Sequence, residues 1–461
     1  MIKLPLYKLY IWSIVSELIM FLTFDITIIN VMNIRLSRLL QFLFVFLFAL
    51  VFLINRYNFN TKLYISKYTI IFLFTITVST LYYILTGGYA EAAKVFELRN
   101  FISYYDALFL AYKVPFREFS VYGYIIFYYL ILSQIFIRSE IHINYFFKVF
   151  KNVFFWAIIL GIIALVFSYF EYQLFDRQFN YNNWLGNHNG GRKYIGFRFH
   201  GIFGEPRDAA VALIFSLAIF NIRAIYFGTR NLNYKYLLLI AFLIVMTKSG
   251  SLAIGVLLFI PLFFMFSDNK LKLINLKLIL SLFLIVSIFI LYVANNSRLL
   301  LYYDQALLIP EYLERGIMLP GHIKNQIVNI YPFFLTYEKL INFDFFTLFF
   351  GSGMGVNSIE VYPLGPYAFE TAHAQLPRLI FETGVIGFIS WSFMLFHFVR
   401  CYKDIITERQ WTVLFCYFVL VCAMALAHRS HLIYIYVAIV FSTYNILKDK
   451  PILKDAYNKP S

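Results

Sequence analysis

Residues 152–170 read NVFFWAIILGIIALVFSYF and include no charged side chain. At ~1.5 Å of rise per residue, a helix of this length spans the ~30 Å hydrocarbon core of a bilayer. A helix that is apolar all round has no polar face to present to water. This stretch therefore predicts a membrane-spanning helix.

Comparable apolar runs recur along the whole chain, separated by short polar segments. We therefore predict an all-α polytopic membrane protein with about twelve transmembrane helices, which form a single membrane domain over residues 1–461. The predicted spans are residues 10–30, 39–54, 68–86, 121–137, 152–170, 208–227, 234–247, 250–266, 274–294, 379–398, 411–427 and 431–447.

The composition agrees with this class, since 61% of the residues are hydrophobic and only 14% are charged. A formal net charge of +15 could indicate a nucleic-acid partner, but the basic residues punctuate the apolar runs instead of lining one patch. That distribution is typical of membrane topology, so we expect no nucleic-acid partner. The first apolar run has no signal-peptide pattern, so we expect a retained helix. Cys401, Cys416 and Cys422 are interpreted as buried apolar residues.

The distribution of Lys and Arg predicts that both termini are cytoplasmic, because the inner segments are then short and densely basic. Three outer loops follow from this orientation, at residues 87–120, 171–207 and 295–378. Residues 92–113 predict a helix at the membrane interface. The third loop is rich in Pro, Tyr and Phe, which favours a folded lid or wall over a disordered segment.

The second outer loop ends in a dense group of polar side chains, residues 192–208, that leads into a predicted span. Arg198 lies between aromatic residues and precedes a series of turn residues, so we expect its guanidinium to be held in place, where it can match phosphate oxygens. Glu205 and Asp208 flank Pro206 at the start of the helix, and for Asp208 capping is the first interpretation. Arg207 is a second candidate phosphate ligand.

The third outer loop ends in Gly351-Ser352-Gly353-Met354-Gly355, and His373 follows just outside a predicted span. A histidine there can accept a proton from an attacking hydroxyl, a contribution of about 10²- to 10⁴-fold in rate. Arg378 and Glu382 are four residues apart on one predicted helix, so a mutual ion pair is the first interpretation of both. An intramembrane carboxylate is costly, which also makes Glu382 a functional candidate or a positioner of Arg378. The glycine run could bind an anion through its amides, but it lacks the ending of a nucleotide loop.

Other polar residues of the predicted spans receive no catalytic role. Glu17 and Asp25 are expected to face the protein interior. Lys248 is either a snorkelling residue at the outer edge or another phosphate ligand. The pair His428 and His431 is not taken as a metal site, and we predict no metal and no cofactor.

The series Arg198, Gly201, Phe203 and Glu205-Pro206 resembles Wzy-type O-antigen and capsular polysaccharide polymerases and the related O-antigen ligases. The long outer loop that closes on Gly-x-Gly-x-Gly, then His373, then Glu382-x-Gly-x-x-Gly, is similar too. The layout matches over most of the chain, whereas the motifs cover only about twenty residues.

This resemblance implies a GT-C-like glycosyltransferase of the bacterial inner membrane that serves lipopolysaccharide or other polysaccharide biosynthesis. Its substrate would be an undecaprenyl-diphosphate-linked glycan, used at the periplasmic face without a metal, and a chain-length regulator would be a partner besides membrane lipids. In that picture His373 deprotonates the acceptor hydroxyl. Arg198 and Glu205 complete the catalytic group, and Glu382 supports it. The diphosphate ligands would be Arg198, Arg207, Arg378 and Lys248.

One motif departs from the family. The ligases have a pattern like Thr-x-Ser-Arg where this chain has Thr247-Lys248-Ser249-Gly250, so the guanidinium fork is missing there. This difference favours a polymerase over a ligase that transfers glycan to lipid A-core. A flippase for lipid-linked oligosaccharides remains a third alternative, which would show internal repeats, discontinuous helices and charges near the midplane.

Overall fold

The computed structural model describes residues 5–19, 23–26, 31–55, 63–90, 93–94, 97, 103–170, 199–204, 206–228, 234–247, 342, 344–356, 375–428 and 430–448. The predicted spans 250–266 and 274–294 lie outside these residues. So do most of the predicted outer loops 171–207 and 295–378.

The described residues are almost entirely helical, with one two-stranded antiparallel hairpin. The α-helices are α1 (Leu6–Val15), α2 (Leu36–Asn55), α3 (Lys67–Leu85), α4 (Tyr104–Ile125), α5 (Leu132–Phe136), α6 (Glu140–Tyr169), α7 (Pro206–Tyr226), α8 (Tyr234–Met246), α9 (Phe345–Phe350), α10 (Gln375–Arg400), α11 (Glu408–His428) and α12 (Leu432–Leu447). The strands are β1 (Thr23–Ile26) and β2 (Val31–Arg35), and 3₁₀ turns cover Ser16–Leu18, Gly201–Phe203 and Cys401–Asp404.

Six helical stretches of the described chain are long and apolar enough to cross a membrane, which agrees with an all-α membrane protein. They are Leu36–Leu53, Lys67–Leu85, Tyr104–Phe136, Glu140–Phe167, Arg207–Tyr226 and Arg378–Asp404. The shorter apolar helices α11 and α12 match the predicted spans 411–427 and 431–447 closely.

The prediction for the first span is wrong. Residues 10–30 were expected to form one helix, but α1 ends at Val15 and the chain then turns into the hairpin of β1 and β2. Apolarity alone does not distinguish a helix from strands, and β-branched residues such as Ile and Thr are frequent in 23–31.

Part of the predicted first outer loop is helical. Helix α4 begins at Tyr104 and continues through a π-helical turn, Ile126–Ile131, and α5 to Phe136. Residues 104–120 therefore belong to the same long helix as the predicted span 121–137, although Asp106, Lys113 and Glu118 lower their hydropathy.

The helices pack around one large apolar core, to which α1, α6, α7, α10, α11 and α12 contribute. Helix α3 packs against α10, and α7 packs against α11 and α12. A second, smaller cluster holds Tyr89, Ala107, Val356 and Phe381 beneath the start of α10. This arrangement brings α3, α4 and the 345–356 segment together at the start of α10.

Candidate functional site

The structure describes three of the predicted site residues. Arg207 lies in the first turn of α7 and is half-buried, and Arg378 and Glu382 lie near the start of α10. The other four, Arg198, Glu205, Lys248 and His373, lie outside the described residues.

Arg378 is buried between two carboxylates. Its Nε donates to Glu382 Oε1 at 2.9 Å, and its Nη2 lies 2.8 Å from Glu118 Oε2 on α4. The Arg378 side chain is 2% exposed, against 12% for Glu118. The predicted pair with Glu382 is therefore confirmed, and Glu118 is a partner that the sequence analysis missed. We call Arg378, Glu118 and Glu382 the Arg378 cluster.

The charges of this cluster bear on its chemistry. Two carboxylates face one guanidinium, and the only further charge that contacts them among the described residues is Arg117, which is 61% exposed and donates to Glu118 at 3.0 Å. Glu118 and Glu382 are balanced by Arg378 and Arg117, so the cluster offers a diphosphate no net positive charge, and Arg378 itself is buried. The geometry therefore favours a positioning role for Arg378 over the predicted contact with a diphosphate.

Helix α10 is broken beside this cluster. Gly384 has φ 67° and ψ −174°, a conformation outside the helical region that a side chain rarely adopts. The break interrupts the hydrogen-bond ladder and frees backbone carbonyls of the preceding turn, which need other donors inside a membrane protein.

The glycine run supplies those donors. Ser352 N donates to Phe381 O at 2.9 Å, and Gly353 N donates to Glu382 O at 3.2 Å. Ser79 Oγ on α3 donates to the same Glu382 carbonyl at 3.0 Å. Two amides of the predicted anion cradle are thus occupied by α10 itself.

The contact between the glycine run and α10 is too close for larger residues. A Cβ at Gly351 would clash with the Glu382 carbonyl, and a Cβ at Gly384 would clash with the backbone of Phe349. Gly351, Gly353 and Gly355 all have positive φ. These glycines serve close backbone approach, and the broken half-helix that carries Arg378 is fixed in place by it.

No family model, curated protein or solved structure matches this chain. The functional assignment therefore depends on the sequence motifs and on the geometry of the site.

The turn that precedes α7 is buried. Phe199 N donates to Met246 O at 2.9 Å, and Gly201 approaches Gly161 of α6 so closely that a Cβ at Gly201 would clash with the Gly161 backbone. Gly204 has φ 121° and lies against Asp208, which agrees with the predicted place of Asp208 at the helix start. This turn fixes the first turn of α7, where Arg207 lies.

A second group of polar residues surrounds Glu17, which lies in the 3₁₀ turn after α1 and faces the C-terminal end of α4. Glu17 Oε1 accepts from Gln41 Nε2 at 2.7 Å and from Tyr129 OH at 2.8 Å, and it lies 3.9 Å from Arg38 Nη1. Glu17 is 4% exposed, so these bonds offset the cost of removing its charge from water. Tyr129 reaches Glu17 from the π-helical turn, a kind of irregularity that frequently occurs at functional sites.

Arg38 is held on several sides by the same group. Its Nη1 donates to Gln41 Oε1 at 2.8 Å, its Nη2 donates to His431 Nδ1 at 2.8 Å, and the guanidinium lies over the Tyr124 ring. Since an arginine only donates, His431 Nδ1 is the acceptor and its proton is on Nε2. An imidazole that accepts through one nitrogen is neutral, so His431 adds no charge here. We call Glu17, Arg38, Gln41, Tyr124, Tyr129 and His431 the Glu17 network.

Glu17 faces the interior, as its place in an apolar segment predicts, but the sequence does not indicate its partners. They come from distant parts of the chain, and only the unfavourable placement of a charge in an apolar segment could have indicated them. Among the described residues, no group of three or more His, Cys, Asp or Glu is placed to hold a metal ion.

Proposed function

We propose that this protein is a membrane glycosyltransferase that polymerises polyprenyl-diphosphate-linked oligosaccharide repeat units. The observation that carries the proposal is the Arg378 cluster: a buried arginine between Glu118 and Glu382, on a half-helix that directly follows the His373 motif. Buried ionic groups in membrane proteins are costly and usually serve a function. The motif series around Arg198 and His373 supplies the reaction class.

In the proposed reaction, an acceptor hydroxyl attacks the anomeric carbon of the donor sugar, and the bond between that carbon and the diphosphate oxygen breaks. His373 takes the hydroxyl proton, and the diphosphate leaves with the bonding electron pair. Arg198 and Arg207 stabilise the charge that develops on it, with Lys248 as a further contact, and stabilising such charge commonly contributes most to catalysis. Glu205 belongs to the same predicted group.

Arg378 has a positioning role in this scheme. The half-helix that begins at Gln375 is held in place by contacts with Glu118, Ser79 and the glycine run. It therefore provides a fixed point of attachment two residues after His373 in the chain. Gln375 also donates to Tyr122 OH on α4. A general base must lie within hydrogen-bond reach of the proton it takes, and such an anchor supports that geometry.

The experiment is an elongation assay with purified protein and a lipid-linked repeat unit. We expect His373→Ala to lower the rate by at least about 10²-fold, the usual contribution of a general base. Arg400→Gln is a matched control, because Arg400 is exposed at the far end of α10. A wild-type rate in His373→Ala would refute the base assignment, and absence of any elongation by the wild-type protein would refute the polymerase.

One observation favours a second candidate function, a transporter that flips lipid-linked oligosaccharides. Discontinuous helices with nearby charges are typical of secondary transporters, and α10 is broken at Gly384 next to buried Glu382. Deletion of the gene separates the candidates: single repeat units on the surface glycan support the polymerase, intermediates trapped on the inner leaflet support the flippase, and complete loss of glycan from its lipid acceptor supports the ligase.

A further inference from the structure

The proposed polymerisation consumes two lipid-linked glycans, and each carries a diphosphate. The donor loses its lipid, so its diphosphate must be stabilised as a leaving group. The acceptor keeps its lipid, so its diphosphate needs only to be held. A second and more weakly charged phosphate site is therefore expected, and the residues around Arg198 and Arg207 account for only one.

Two arginines beside the Glu17 network fit this second site. Arg35 ends β2, and Arg38 follows three residues later in the first turn of α2, so both cations lie at the junction of the hairpin and this helix. Arg35 is exposed, and Arg38 keeps 30% of its side chain accessible. Arg38 Nη2 donates to His431 Nδ1 at 2.8 Å, and the charge of Arg35 also acts on this imidazole.

The charge balance differs from that in the Arg378 cluster. There, Glu118 and Glu382 are balanced by Arg378 and Arg117. Here, among the side chains that the structure describes, Glu17 lies 3.9 Å from Arg38, and Arg35 adds a second cation nearby. With His431 neutral, these described side chains carry one net positive charge, which attracts an anion.

The Arg38 side chain is held in place before any ligand arrives, because it donates to Gln41 and His431. Its guanidinium therefore loses little conformational entropy when it binds a phosphate, and its fork suits phosphate oxygens. Arg35 is exposed, and its backbone is fixed by pairing with Thr23 in the hairpin.

An apolar helix face continues from the arginines along the membrane. Only 17% of the Leu36–Leu53 window is buried within the protein, the smallest share of the six candidate spans. Large exposed side chains of α2 follow one another away from Arg38: Leu39, Phe42, Leu43, Phe46, Leu50 and Leu53. A lipid whose phosphate lies at Arg38 would lay its tail on this face.

The position relative to Glu118 favours a lipid-linked glycan over an ordinary phospholipid. Tyr124, beneath Arg38, and Glu118, beside Arg378, are on the same helix and six residues apart, which corresponds to about 9 Å of rise along the helix axis. Glu118 is the partly exposed member of the Arg378 cluster, so a glycan held at Arg38 by its diphosphate can extend along α4 toward it.

We propose that Arg35 and Arg38, supported by Glu17, Gln41 and His431, bind the diphosphate of the acceptor lipid-linked glycan, whose polyprenyl tail lies on the exposed face of α2. This inference rests on the proposed function for the role of the ligand, but the binding site itself does not depend on it.

The test measures binding of radiolabelled farnesyl diphosphate, a short polyprenyl diphosphate, to the full-length protein in phosphatidylcholine nanodiscs. We expect Arg35→Gln to remove one class of site or weaken it by about tenfold, the usual effect of one charge-assisted contact. The double variant Glu17→Gln with Arg38→Gln should do the same, and because it removes both charges it leaves no unpaired buried carboxylate. Lys113→Gln, a change at another exposed cation, is the matched control.

Unchanged affinity and stoichiometry in Arg35→Gln and in the double variant would overturn the proposal. An equal loss of affinity in Lys113→Gln would also overturn it, since the ligand would then be attracted by the general positive charge of the protein and not by one site. Equal competition by phosphatidylglycerol would show a general headgroup contact and refute the lipid-linked glycan.

The elongation assay separates this proposal from the proposed function. In an active polymerase, Arg35→Gln should raise KM for the acceptor while kcat stays near the wild-type value, because the contact is the same in ground and transition states. A fall in kcat with KM unchanged would refute an acceptor site. If the wild-type protein does not elongate glycans but binds farnesyl diphosphate through Arg35, the proposed function fails and the site stands.

Discussion

Substitution of Arg378 by Met should destabilise the protein strongly. The change removes the guanidinium that lies 2.8 Å from Glu118 and 2.9 Å from Glu382, and it leaves two buried carboxylates without their common partner. Breaking a buried ion pair by removal of one member costs about 3–5 kcal/mol. Because both carboxylates lose the same cation, we expect a value near the upper end of that range.

The free energy of unfolding can be measured by titration with sodium dodecyl sulfate in mixed micelles, with reaction of the buried Cys416 thiol as the signal. Arg400→Met is the control, since this arginine is on the same helix but exposed, and it should change the free energy by about 0.5 kcal/mol at most.

A triple variant tests the cause of the loss. Arg378→Met combined with Glu118→Gln and Glu382→Gln has no buried charge left in the cluster, so it should recover much of the lost stability. Two results would refute the reasoning: a single Arg378→Met variant as stable as the wild type, or a triple variant no more stable than the single one.

Three further predictions concern the backbone around the site. Gly384→Ala should lower stability by more than the ~1 kcal/mol of an ordinary glycine effect, because its Cβ would meet the Phe349 backbone; a neutral result in the same titration would mean that α10 is not fixed by this contact. Gly201→Ala should perturb the packing of this turn on α6, displace Arg207 at the start of α7 and so slow elongation. A wild-type elongation rate at full expression would contradict that link. Asp344→Ala removes the side chain that accepts from Thr347 N at 3.1 Å at the start of α9, and should cost about 1 kcal/mol; Asp344→Asn should retain most of it.

The sequence predicts the long apolar helices well where the apolar run and the helix coincide. Helices α3 and α12 lie within a residue of their predicted spans. The helix boundaries differ from the predicted spans where charged residues belong to a long apolar helix, as at Glu118 in α4, or where an apolar run is not helical, as in β1 and β2. Hydropathy measures only how each residue partitions between water and an apolar phase. It contains no information on the partner that offsets the cost of burying a charge.

The candidate site shows the same limit. The pair Arg378 and Glu382 is separated by one helical turn, so its contact follows from local geometry, and it is confirmed. Glu118 is 260 residues earlier in the chain, and no local rule connects it with Arg378. The break at Gly384 is likewise invisible in the sequence, since a glycine in a membrane helix more often serves helix packing.

The break in α10 also constrains the order in which the chain can be assembled. A half-helix with free carbonyls is a poor substrate for insertion into lipid, because nothing in the hydrocarbon can donate to them. Ser352 and Gly353 precede α10 in the chain and α3 precedes both, so these three described donors to Phe381 and Glu382 have been synthesised before the break emerges from the ribosome. Synthesis from the N-terminus thus provides these hydrogen-bond donors before the broken helix α10 is made.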